Sequence, residues 1–361
     1  MKSYIREALL TSVDIFINFT IIGPLVAFFW KGTWDTIDFY FIPEQKELSL
    51  WVSFIGGSIA LLLFTLLQGP INRTLLPDHY PLLFHVTSRF HAYLIGITQV
   101  MLWRGSWGLF DLYLTIEWLN LVVSGCLGTL FLSVLGGLSL TSGVPFSTRH
   151  DFDQEDPLTG KSKSEDVQDW IWLLVYGSYE IVVYNLLVVV TWRSLWELMD
   201  ILIIPDNLTL SAYISLFISV TLATPVILGE NMLRTYCRKL EVSQALGVFK
   251  KLLSKGYIML TVCITVNLWR GAWHLQTTLL LPGNPKLSAL ISHCVGFAGL
   301  MLCLVTRTLA GGADFEDSDI YEQCVTMYSM SCVKRFVEKF DSKVSAVPQD
   351  TDLQDFAGIG L

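Results

Sequence analysis

The sequence predicts an all-α polytopic membrane protein of eight transmembrane helices, built as four repeated helical hairpins in parallel orientation. Three observations carry this. The 361 residues are 52% hydrophobic and only 16% charged, with a mean hydropathy of +0.52, too apolar for a soluble chain of this length. Apolar runs of about 20 residues, enough to cross ~30 Å of hydrocarbon as helix, recur near residues 11–30, 49–68, 88–107, 118–138, 170–191, 210–229, 254–273 and 287–308. A pentad with Trp at both ends occurs four times: WKGTW (Trp30 to Trp34), WRGSW (Trp103 to Trp107), WRSLW (Trp192 to Trp196) and WRGAW (Trp269 to Trp273).

The copies agree beyond the pentad. A cation follows each first Trp: Lys31, Arg104, Arg193 and Arg270. Four residues after the second Trp stand Asp38, Asp111 and Asp200, with Thr277 in the last copy. Nine residues after it stand Pro43, Pro205 and Pro282, with Ile116 in the second copy. Intervals of 73, 89 and 77 residues between first Trp residues set a period of one helical hairpin. With two spans per repeat, every hairpin runs in the same sense. That excludes an inverted-repeat transporter plan and leaves a pseudo-fourfold arrangement or two parallel halves.

Each element has a local reason. A short polar lead with Lys2 and Arg6 precedes span 1, which holds Asp14, Asn18 and Pro24 and therefore does not read as a cleavable signal. Span 2 ends at the turn signal Gln68-Gly69-Pro70. The linker after it is polar, and its His79, His85 and His91 read as solvated side chains because no Cys or paired carboxylate accompanies them. Spans 3 and 4 complete a first half over residues 1–140. Residues 141–169, rich in Ser, Thr, Gly and acids, read as a disordered acidic linker. A second half follows over 170–309. Its connection at 230–255 carries six Lys or Arg, as a basic amphipathic surface helix or a plain charged loop would. The tail, 310–361, opens with an acidic run, and a short helix is expected around Tyr321–Phe340.

Orientation follows from the basic residues. The motif-side connections hold six of the 24 Lys and Arg, so the motifs face outward and both termini are cytoplasmic. Asn207-Leu208-Thr209 is then a glycosylation sequon in an outer connection, while the sequons at Asn18 and Asn72 stay unmodified. None of the seven Cys falls in an outer connection, so no structural disulfide is expected.

Two sets of residues are candidates for function. The first is the motif itself: Trp30, Lys31, Trp34, Asp38, Trp103, Arg104, Trp107, Asp111, Trp192, Arg193, Trp196, Asp200, Trp269, Arg270 and Trp273. Trp residues four apart share a helix face, extended by the Asp four residues later. A structural lock, in which Arg104 pairs with Asp111 or with its equivalent in a neighbouring repeat, is one reading. An external binding mouth is another, and a plain aromatic belt with basic anchors a third. The second set lies twelve residues before each first Trp: Asn18, His91, Glu180 and Tyr257, about 18 Å deeper on a helix. A carboxyl at the depth of Glu180 is costly unless protonated, paired or wetted. It reads either as a cation or proton ligand in a polar ring, or as a neutral group bonded to Tyr176, Tyr184 or His91. His293 and Gln99 read as satisfied core groups.

The returning helices carry small residues nineteen positions after the second Trp, Ser53, Cys126, Ser215 and Ser292, and four positions later Gly57, Leu130, Ser219 and Gly296. Such small-xxx-small faces favour close packing, and they mark the even-numbered helices as the expected core. The familiar nucleotide, hydrolase and metalloprotease motifs are missing, so neither an enzyme, a cofactor, a metal site nor a nucleic-acid partner is expected.

Eight spans, cytoplasmic ends and the contexts LWRGSWGLFDLYL and LWRGAWHLQTTLLLP resemble the Fuseless family of invertebrate membrane proteins, over roughly residues 5–310. The resemblance implies a presynaptic plasma-membrane protein that organises calcium channels at release sites and supports calcium-dependent vesicle exocytosis. Its implied partners are the bilayer, a voltage-gated calcium channel and cytoplasmic scaffold proteins. It brings no defined site residues. The residues alone keep an alternative open: an ion channel or cation-coupled transporter with Glu180 in its central path.

Overall fold

The computed structural model describes residues 2–74, 81–149, 151, 170–239 and 244–310, and among them there is no β-strand. Helix α1 (Lys2–Ile17) runs through a π-helical turn, Asn18–Ile22, into α2 (Gly23–Tyr40). Then come α3 (Lys46–Thr74), α4 (Pro81–Tyr113) and α5 (Trp118–Leu135). After the midpoint, α6 (Trp170–Tyr179) runs through a second π turn, Glu180–Tyr184, into α7 (Asn185–Leu202), followed by α8 (Leu208–Lys239), α9 (Gln244–Leu279) and α10 (Pro285–Leu302). Among the described residues seven helical stretches are long and apolar enough to cross a membrane. The 33-residue α4, which carries Arg89, His91 and Arg104, falls outside that set yet stands in the same bundle. His85, Arg89 and His91 are therefore helical, not part of a loop.

The expectation that the returning helices, spans 2, 4, 6 and 8, form the core is wrong. The motif helices are inside: 39–44% of the span is buried in α1–α2, α6–α7 and α9, against 17–33% in α3, α5, α8 and α10. The returning helices instead present Ile55, Phe131, Val134 and Phe217 outward, a lipid-compatible shell. Their small residues serve a different contact. The most extensive pairings are α3 with α4, α5 with α7, α8 with α9 and α10 with α2, so each motif helix packs on the returning helix of the copy before it. A Cβ on Gly32 would stand 2.2 Å from the His293 nitrogen, and one on Gly296 2.4 Å from the Phe29 nitrogen. Gly105 and Gly57 make the same reciprocal contact between α4 and α3. Only glycine permits backbones this close.

The connections at the motif end explain the recurring proline. In three of them the residue before it, Ile42, Ile204 or Leu281, has a positive φ. The second connection has no such residue and spans only 114–117, one residue shorter than 41–45, 203–207 and 280–284. That deletion shifts the register of α5. Ser194 there faces Gly125 as Gly105 faces Phe54 and Gly32 faces His293, so the counterpart of Ser53 and Ser292 is Ser124, not Cys126, and Cys126 is exposed.

At the far end the chain folds back into the bundle. Helix α5 stops at left-handed Gly136 and α10 is followed by left-handed Leu304, and each is followed by a 3-10 turn, Leu138–Thr141 and Thr306–Ala310. Residues 141–149 do not belong to a solvated linker: Thr141, Val144, Phe146 and Thr148 are buried, as is Asp151. Asp151 ties the two segments together. It accepts from Thr306 Oγ1 at 2.7 Å and the Arg307 amide at 3.0 Å, and pairs with Arg89 at 3.2 Å. The rest of the expected linker and the expected tail helix lie outside the described residues.

Candidate functional site

The eight motif Trp side chains form two stacked rings at the centre of the bundle. Trp30, Trp103, Trp192 and Trp269 meet edge to face in a closed circuit, centroids 5.3–5.7 Å apart and planes 84–89° from one another. Trp34, Trp107, Trp196 and Trp273 close a second circuit at 5.6–6.3 Å. This geometry satisfies the ring quadrupoles, and it overturns the belt reading, since the indoles face one another and not the membrane interface. Two indole N–H groups are spent on the inserted segment: Trp192 donates to the Thr141 carbonyl and Trp269 to that of Val144, both at 2.8 Å.

Around the rings run four buried cations, three of them tied to an acid of the preceding copy. Arg104 bonds Asp38, Arg193 bonds Asp111 and Arg270 bonds Asp200, each at 2.7 Å. The guanidiniums are at most 2% exposed while the acids are partly solvated. Arg104 does not meet Asp111. Serines of the returning helix complete two of the three sites: Ser53 and Ser49 accept from Arg104, and Ser215 and Ser211 from Arg270. At the third site Ser124 bonds Ser194 instead, at 3.0 Å, and the Arg193 Nη2 is left without a partner. The fourth site is rebuilt. With Thr277 where an acid would stand, Lys31 turns to Asp35 on its own helix at 2.5 Å and lies over the Trp273 ring at 5.2 Å.

Inside the rings lies a cavity of about 390 Å³. Asp111 and Glu197 line it at the motif end, and Gln99, Glu180 and Asn185 further in. The two 3-10 turns floor it through Leu140, Thr141, Thr308 and Leu309. Of the four residues expected in a polar ring, only Glu180 lines this space. Asn18 is bonded by Thr148 of the inserted segment and donates to the Asp14 carbonyl. His91 meets Phe64 edge to face at 5.4 Å, and Tyr257 donates to the Val226 carbonyl. The four do not converge because spans 1 and 5 reach this depth through π turns, at Asn18 and Glu180, and spans 3 and 7 do not. His293, bonded by Thr33 at 2.8 Å and Tyr93 at 3.0 Å, is a packed core group.

Chemically the cavity offers one deep carboxyl, two amides and aromatic faces. Neighbouring rings 5.3–5.7 Å apart place opposite rings about 8 Å apart between centroids, of which aromatic thickness takes roughly 3.5 Å. That is narrower than a hydrated ion in this conformation. Among the described residues no group of three His, Cys, Asp or Glu is placed to hold a metal ion. Sequence reasoning missed the floor, because Thr141, Val144 and Phe146 sit in a stretch of linker-like composition. Asn207, on the connection between α7 and α8, is exposed and caps α8 by accepting from the Leu210 amide at 3.0 Å.

No curated protein and no solved structure matches the chain. One family model, Fuseless, matches residues 9–309, most of the sequence and both halves of the bundle. The chain belongs to the Fuseless family.

Proposed function

We propose that this protein organises voltage-gated calcium channels at presynaptic release sites and supports calcium-dependent vesicle exocytosis, without catalysing a reaction. The observation that carries this is family membership over residues 9–309. In this reading the bundle is four hairpins about a pseudo-fourfold axis in the plasma membrane. The motif end faces outward, both termini face the cytoplasm, and Asn207 carries a glycan. The rigid Trp core holds the helices, while the lipid-facing sides of α3, α5, α8 and α10 offer a channel its lateral contact and scaffold proteins bind from the cytoplasm. The test is rescue. In neurons lacking the endogenous protein, re-expressed full chain should restore calcium-channel clusters at release sites, measured by imaging. Unchanged clusters, with folded chain at the surface, would refute the reading.

A second reading rests on the cavity: a channel or cation-coupled transporter with Glu180 in its path. It is favoured by the deep carboxyl that lines the same cavity as the Trp rings. Purified protein in liposomes should then pass monovalent cations, calcium or protons, and Glu180→Gln should reduce that flux. Silence from folded wild type toward all three would sink it.

A further inference from the structure

The residue directly after the second Trp of each copy is Asp35, Gly108, Glu197 or His274. Only the first and third copies place an acid there, and the two acids are served differently. Asp35 takes the Lys31 ammonium at 2.5 Å, and the same ammonium lies 5.2 Å from the centre of Trp273, the second Trp of the fourth copy. An ammonium is thus held between a carboxylate and an indole of the outer ring. Glu197 stands at the equivalent place, and the equivalent of Trp273 is Trp107, which meets Trp196 at 5.8 Å.

The base that matches Lys31 in the third copy is engaged elsewhere. Lys31 turns to its own helix where the fourth copy has Thr277, whereas Arg193 finds Asp111 and holds it at 2.7 Å. The other acids around the rings are matched one by one: Asp35 by Lys31, Asp38 by Arg104, Asp111 by Arg193, and Asp200 by Arg270 and His274. Glu197 is the fifth carboxyl, and among the described residues neither a hydrogen bond nor an ion pair holds it. The fields of Asp111 and Asp200 act on it against those of Arg193 and Arg270. All four connections at this end are among the described residues, and none brings it a base. A carboxylate so placed is best served by a cation at hydrogen-bonding distance.

Glu197, Asp111 and all four outer indoles line the motif end of the cavity. Adjacent outer indoles are 5.6–6.3 Å apart and 87–88° from one another. Opposite rings are then about 8 Å apart between centroids, which leaves about 5 Å once ring thickness is removed. A primary ammonium on a straight alkyl stem fits that width, and a quaternary ammonium with its methyl groups does not. A cation on the axis lies about 4 Å from each centroid, inside the ~6 Å reach of a cation–π contact. A calcium ion takes about six to eight oxygens, which Glu197 and Asp111 do not supply.

We propose that the outer Trp ring is a binding site for a small primary amine. Its ammonium is held by Glu197 and lies over Trp107 as Lys31 lies over Trp273, and its stem runs along the axis into the cavity. The site requires neither channel organisation nor transport, so it stands or falls apart from both readings of function.

The probe is n-butylamine, which copies the stem and ammonium of lysine, titrated calorimetrically into the full chain in nanodiscs. Its uncharged counterpart is n-butanol, and tetramethylammonium is the cation too wide for the ring. Wild type should bind the amine saturably and about tenfold or more tightly than either. Glu197→Gln, at a side chain that makes no bond, should leave folding intact and bring the amine down to the level of butanol. Arg193→Lys combined with Asp111→Thr gives the third copy the cation and the threonine of the first and fourth. The chain's own ammonium should then take Glu197 and abolish binding. A Tm measured for each variant separates lost binding from lost folding. No saturable binding by folded wild type, equal affinity for the amine and either control, or amine binding that survives in folded Glu197→Gln or in the folded double variant would overturn the site.

Discussion

The third motif copy contains its own experiment. Where the others place Gly32, Gly105 or Gly271 against the returning helix, WRSLW places Ser194, and the returning helix answers with Gly125 where the others have His293, Phe54 or Leu216. A Cβ on Gly125 would stand 2.8 Å from the Ser194 Cβ, so Gly125→Ser alone overpacks the contact and should cost about 1–3 kcal/mol. Ser194→Gly alone removes the Ser124–Ser194 hydrogen bond of 3.0 Å and puts glycine in a helix interior, together about 1–2 kcal/mol. The double variant restores the order of the other copies, a glycine on the motif helix facing a side chain on the returning helix. It removes the clash, since each contact then holds one side chain and one glycine. The double variant should thus lose less than the sum of the two single variants, with a coupling of about 1–3 kcal/mol across the cycle. Thermal unfolding of detergent-solubilised protein, followed by size-exclusion fluorescence, measures all four corners. Additive losses would show that the two small residues do not compensate one another.

Three further outcomes follow from the same geometry. Arg104→Ala removes a guanidinium held by Asp38, Ser49 and Ser53 and should cost about 3 kcal/mol, lowering surface expression far more than Lys46→Ala; equal effects by surface biotinylation would count against a structural role for the chain of cations. Trp103→Ala opens a hole in the inner ring and should cost about 3–5 kcal/mol, whereas Trp118→Ala, at a position 64% exposed, should stay within about 0.5 kcal/mol; a reversed order in Tm would refute the central placement of the rings. A glycosidase should shift the gel mobility of wild type expressed in eukaryotic cells and leave Asn207→Gln unmoved, and a shift that persists in the variant would overturn the outward orientation of the motif end.

The all-helical bundle and the importance of the Trp motif were legible because both are periodic. Hydropathy marks spans by length, and a Trp-cation pentad repeated four times rises far above composition. The pairing of each Arg with the Asp of the preceding copy was legible only as one option, since spacing along a helix does not say which neighbour a side chain meets. Two expectations failed for physical reasons. Small residues on the returning helices, such as Gly57 and Gly296, signal close approach, but close approach to a single partner leaves the opposite face free for lipid, so they did not mark the core. The inserted segment failed to register because its burial rests on few apolar side chains and many backbone bonds. Thr141 and Val144 are held by their carbonyls, which accept from Trp192 and Trp269, and a carbonyl leaves no trace in composition.

The molecule changes symmetry along its length, and the change locates its special region. At the motif end four equivalent indoles close each ring, with only Lys31 and Thr277 breaking the pattern of cations and acids. Deeper in, only two of the four motif spans carry a π turn, Asn18–Ile22 and Glu180–Tyr184, and two 3-10 turns form the floor, so equivalence falls from four to two. π turns insert a residue into a helix at some cost in hydrogen bonding and recur where a side chain must be aimed. Deeper still, among the described residues the two sides part: Phe146 and Thr148 pack beside Phe19 and Asn18 on one, and Glu180 lines the cavity on the other. Chemistry has therefore to be sought where the copies differ, at Glu197, at Glu180 and in the cavity they line, and not in the repeat that draws the eye in the sequence.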